Sequence, residues 1–87
     1  MEQAEGWIIE NNVLGKEFVF KDFVTVIQFI NEVALWSEKY KHHPVWTNNY
    51  NKLKITLFTD SENSITEKDY QLASKINDIL EAKYICK

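Results

Sequence analysis

At 87 residues with one cysteine, Cys86, the chain is read as a single domain over residues 1–87 that closes no internal disulfide and offers no multi-cysteine zinc site. Hydrophobic residues at 45%, aromatics at 14%, two glycines and one proline argue against a disordered segment, and no apolar stretch approaches the length of a membrane span. A formal net charge of -3, with lysines scattered among acids, argues against the clustered basic face of a nucleic-acid binder.

Met1-Glu2-Gln3-Ala4-Glu5 has neither a basic start nor an apolar run, so the expected location is cytoplasmic. From there, Trp7 to Glu10 is a short β-branched and aromatic run that stops at Asn11-Asn12, and Leu14 to Phe20 places Leu14, Lys16, Phe18 and Phe20 on one face. These predict two strands. From Asp22 the period changes, and Phe23, Val26, Ile27, Ile30, Val33 and Ala34 recur at three- and four-residue steps, the stripe of a helix running to about Lys39. A third strand is predicted over about Val45 to Tyr50, and a fourth over Lys52 to Thr59, where Leu53, Ile55 and Leu57 alternate with Lys54, Thr56 and Phe58. Ser61 to Ser64 is polar loop. A second helix follows from Thr66, with Leu72, Ala73, Ile76, Ile79 and Leu80 on one side.

The order strand, strand, helix, strand, strand, helix predicts an α+β fold, a four-stranded antiparallel sheet with two helices packed on one face. A core this small favours a homodimer or homotetramer, and the sheet edges and Phe58 on the polar face of its strand are candidate contacts.

The chemistry centres on His42 and His43, the only histidines, adjacent in the loop that precedes Pro44. Imidazole exchanges protons near neutrality, which suits general acid and base work. Pro44 pushes His43 toward extended geometry and so restricts its ring direction. Two adjacent histidines rarely reach one tetrahedral ion, and no metal site is expected.

The spacing then becomes specific: Glu38, three residues, His42-His43-Pro44, five residues, Tyr50, nine residues, Asp60, eight residues, Asp69. In this, and in Gly6-Trp7, Phe18-Val19-Phe20-Lys21-Asp22-Phe23, Trp46, Tyr50-Asn51-Lys52, Ile55-Thr56-Leu57 and Leu72-Ala73, the chain resembles the pterin-4a-carbinolamine dehydratases from about Gly6 to Ile79. The resemblance implies a lyase that removes water from 4a-hydroxytetrahydrobiopterin to give quinonoid dihydropterin in tetrahydrobiopterin recycling, with a pterin substrate and no metal or organic cofactor. Carried over residue by residue, it implies catalytic roles at His42, His43 and Asp60 and substrate-binding roles at Glu38, Trp46, Thr59 and Asp69. The chain departs from the family pattern at Asp60, where members carry a further catalytic histidine after a threonine, here Thr59. It also has Asn63-Ser64 where members carry a glycine pair.

A carboxylate is a poorer acid at neutral pH than imidazole. Two alternatives to the lyase therefore stand beside it: a catalytically weakened pterin-binding homologue, and an oligomeric protein-interaction module, a use the family has in animals alongside a homeodomain transcription factor. One expectation is that Asp60 faces His42 as a His-Asp pair. Simpler roles also fit several positions. Thr66-x-x-Asp69 is the pattern of a helix cap, Glu38 sits on a charged helix face, Trp46 and Tyr50 suit strand packing, and Asp60 suits a turn.

Overall fold

The computed structural model describes residues 6–84; Cys86 and the first five residues lie outside the described part. Four strands, β1 (Ile8–Glu10), β2 (Val13–Val19), β3 (Val45–Asn49) and β4 (Lys52–Leu57), form one antiparallel sheet in the order β1-β2-β4-β3. Two helices, α1 (Phe23–Tyr40) and α2 (Glu67–Ile79), pack on one of its faces, and α2 runs on into a wider turn over Leu80–Tyr84. The α+β architecture expected from the sequence is the one observed.

The register explains the core. Leu14 pairs with Leu57, Lys16 with Ile55 and Phe18 with Leu53, so one face of β2 and β4 is almost wholly apolar. It meets Val26, Phe29 and Val33 of α1 and Leu72, Ala73, Ile76 and Ile79 of α2 in one buried cluster. Lys16, the polar member of that row, lays its Nζ 2.9 Å from Oδ1 of Asn77 and over the Phe18 ring, so its charge is satisfied where it is half-buried.

Local chemistry sets the turns. Asn11 and Asn12 both take positive φ, 53° and 66°, as a two-residue hairpin of the type that matches strand twist requires, and asparagine tolerates that region. Asp22 opens α1 by accepting hydrogen bonds from the Thr25 amide and hydroxyl.

Several boundaries differ from expectation. The third strand ends at Asn49 because Tyr50 turns at φ 57°, and the fourth ends at Leu57, beyond which Thr59 forms an isolated antiparallel bridge with Ser64. β2 ends at Val19, although Phe20 remains buried and exchanges backbone and side-chain hydrogen bonds with Asn51. On α1 the buried line is Val26, Phe29, Val33 and Ser37, whereas Phe23 and Ala34 face outward. This helix is apolar on two adjacent arcs, and the sheet covers only one of them.

Candidate functional site

The end of α1 delivers the histidines. Lys41 takes the left-handed conformation at φ 57°, its amide donates to the Glu38 carbonyl at 3.2 Å, and the His42 amide donates to the Ser37 carbonyl at 3.0 Å. This pair of bonds is the Schellman closure, formed here on a lysine where glycine is the usual residue, and it folds His42 back beneath the helix end. Ser37, buried and bonded through its hydroxyl to the Val33 carbonyl, occupies the space under that turn.

The start of α2 delivers the carboxylate. Thr66 caps the helix in extended geometry, and Asp69, three residues on, returns its Oδ2 to the Thr66 amide at 2.8 Å. The same Oδ2 accepts from the Thr59 hydroxyl at 2.8 Å, while Oδ1 lies 2.5 Å from His42 Nε2. Asp69 is fully buried, and the His42 side chain is 11% exposed. Asp69 is thus a capping residue with one oxygen and a histidine partner with the other.

Donor counting assigns the protons. A carboxylate only accepts, so the three groups around Asp69 are donors, and His42 carries its proton on Nε2. The other ring nitrogen, Nδ1, has no protein partner among the described residues and is the one left for chemistry. No buried side-chain nitrogen or oxygen among the described residues lacks a partner, so the network closes on itself.

The other predicted residues occupy a wetter shell. His43 Nε2 lies 3.0 Å from Glu38 Oε1, and both side chains are largely exposed. Trp46 is half-buried on β3, paired with Ile55 and packed against the core, and Thr59 is buried. Asp60 is exposed at the start of a single 3-10 turn, Asp60–Glu62. Among the described residues no bond joins its carboxylate to His42, whose partner is Asp69. Asn63 closes that turn at φ 54°, supplying the left-handed position for which a glycine would serve.

The residue missed by sequence reasoning is Thr66, whose hydroxyl lies 2.8 Å from that of Thr59; the Thr66-x-x-Asp69 spacing marked it as a cap and gave no sign of this second contact. A groove of about 700 Å³ runs beside the network, lined by Tyr40, Ile65, Thr66, Tyr70, Ser74 and Lys75. It touches Thr66 but neither histidine, so shape and chemistry point to different places, and the hydrogen-bonded imidazole is the stronger mark of a site. Among the described residues no three His, Cys, Asp or Glu side chains converge to hold a metal, and no helix is long and apolar enough to cross a membrane.

Comparison with known proteins gives a consistent picture. Residues 1–79 match the family model described as pterin 4 alpha carbinolamine dehydratase. A protein of Prochlorococcus marinus (strain NATL2A), named "Putative pterin-4-alpha-carbinolamine dehydratase", is 44% identical over 80 residues, covering 92% of this chain and 84% of that one. A similarly named protein of Brucella ovis is 43% identical over 81 residues, covering 91% and 84%. The crystal structure of a transcriptional coactivator/pterin dehydratase from Brucella melitensis superimposes with a TM-score of 0.83 at 43% identity, covering 86% of this chain and 82% of that one. A pterin dehydratase-like protein identified as a RuBisCO assembly factor in the alpha-carboxysome shares the fold, with a TM-score of 0.74 at 19% identity over 91% and 95% of the two chains.

Proposed function

This chain belongs to the pterin 4 alpha carbinolamine dehydratase family, and on that premise we propose that it removes water from a 4a-hydroxytetrahydropterin. The observation that carries the proposal is the His42–Asp69 pair. Loss of water breaks the C4a–oxygen bond, delivers a proton to the departing hydroxyl and removes one from a ring nitrogen. Asp69 fixes the Nε2–H tautomer and leaves Nδ1 to accept the ring proton, or, once protonated, to deliver one to the leaving hydroxyl. His43 and Glu38, exposed beside it, offer polar contacts to the heterocycle, and Trp46 an apolar edge. Self-association into a homodimer or homotetramer belongs to the same proposal.

Asp60 favours a second reading, a pterin-binding homologue without turnover. It places an exposed carboxylate where the family carries an imidazole, and so removes one proton carrier from the site.

Carbinolamine dehydration measured on the unaltered chain, on H42A and on D60H, with pterin binding by calorimetry, separates the two. The dehydratase proposal expects turnover that falls by about 10²-fold or more in H42A. Binding without turnover in the unaltered chain, with turnover appearing in D60H, would establish the second reading instead. Neither binding nor turnover would remove both.

A further inference from the structure

We infer that Thr59 and Thr66 are positioning residues, a two-hydroxyl relay that holds the Asp69 carboxylate against His42; the inference rests on the dehydratase proposal for its kinetic consequence and on geometry alone for the rest. Thr59 sits at the end of β4's path and is 3% exposed, so its hydroxyl is withdrawn from any ligand in solution. That hydroxyl has one proton, which goes to Asp69 Oδ2 at 2.8 Å. The contact between Thr59 Oγ1 and Thr66 Oγ1, also 2.8 Å, can then run in only one direction, with Thr66 donating and Thr59 accepting. The Thr66 oxygen in turn accepts from the Lys68 amide at the first turn of α2.

The protons therefore converge on the buried carboxylate, from the α2 amide through two hydroxyls onto Oδ2 and from the imidazole onto Oδ1. Each bond in such a chain polarises the next. Oδ2 takes two donors, from the Thr66 amide and the Thr59 hydroxyl, and this pins the carboxylate plane so that Oδ1 meets His42 Nε2. Thr59 also bridges Ser64 through both backbone groups, so the relay is anchored to the closed turn after β4 at one end and to α2 at the other. This gives Thr59 a role that differs from a substrate contact: with its proton and an acceptor position both engaged inside the protein, it acts on the reaction through Asp69.

The test pairs T59V, which keeps the shape and deletes the hydroxyl, with T59S, which restores it. Turnover number and KM are measured together with the ¹⁵N and ¹H spectrum of the His42 ring. The expected result for T59V is a fall in kcat of about tenfold with KM nearly unchanged, and loss of the single protected Nε2–H signal to a mixture of tautomers; T59S recovers both. A folded T59V with kcat and ring spectrum equal to the unaltered chain overturns the relay. If T59V does not fold, the unaltered protein decides: the Thr59 hydroxyl proton is expected as a slowly exchanging resonance with a cross-relaxation contact to the His42 Nε2 proton's neighbourhood, and rapid exchange with solvent overturns the inference. Should the unaltered chain show no turnover, the dehydratase proposal falls while the ring spectra still judge the relay.

Discussion

Replacing Asp69 by asparagine puts a donor at the position where the His42 Nε2–H has an acceptor in the unaltered chain. The carbonyl of the new amide would keep the Thr66 amide and Thr59 hydroxyl satisfied, which leaves its NH₂ toward His42 Nε2. The ring must then accept on Nε2 and carry its proton on Nδ1, the opposite tautomer. D69N is expected to lower kcat by about 10²-fold or more while costing about 1–3 kcal/mol of stability, the range for one mismatched buried polar contact. A ¹⁵N spectrum showing Nε2 still protonated in folded D69N would contradict the assignment. The importance of Asp69 was half legible in the sequence, since its distance from Thr66 announced a cap. That its other oxygen receives His42, 27 positions away, follows from how α2 docks under the turn at Lys41, which no local spacing encodes. The expectation that Asp60 faces His42 came instead from the family resemblance, in which Asp60 stands at the position of a histidine, and the observed partner of His42 is Asp69.

At the scale of elements, each helix is defined by its ends, and the ends carry the site. The N-terminus of α1 offers a clean pH test. Hydrogen bonds from the Thr25 side chain, then from its amide, hold the Asp22 carboxyl below its ordinary value of 3.8. A pKa lowered in the folded state gives a contribution that is present above the unfolded value and is lost as pH falls through the folded one. D22A is therefore expected to melt below the unaltered chain at pH 7, and the gap between their melting temperatures is expected to close in acid below pH 3.8. A gap that widened on acidification would contradict the cap. The strands and α2 were readable because alternation at Leu53, Ile55 and Leu57, and the steps Leu72, Ala73, Ile76 and Ile79, each expose one apolar face only. The stripe on α1 was read too wide, because its sequence is apolar across a wider arc than the sheet covers. Val26 and Val33 of that stripe line the core together with Phe29 and the polar Ser37, and Phe23 and Ala34 do not.

For the whole molecule, that uncovered arc is the feature that a small single core leaves unexplained. Between Phe23 and Ser37 the sequence has one charged side chain, Glu32, and it is engaged by Lys83 and Tyr84 of the turn after α2. Val24 and Leu35, 62% and 72% exposed, are eleven residues apart, which brings them within about 20° of each other on the side of α1 away from the sheet. A helix apolar on both sides expects a second partner. The open face of the sheet carries exposed Ile8, Val19 and Val45 as well, but the row Glu17, Lys54 and Thr47 crosses its centre and separates them, so its apolar positions are not contiguous. The outer arc of α1 is therefore the surface on which self-association is expected, and mass action makes it measurable: the melting temperature of the unaltered chain should rise with protein concentration. The double variant V24E/L35E, whose changes lie outside the buried cluster, is expected to keep the circular-dichroism spectrum of the fold, sediment as a monomer and melt at a temperature independent of concentration. Sedimentation of the unaltered chain as a monomer at high micromolar concentration, or an assembly that survives both glutamates, would place the contact elsewhere or remove it.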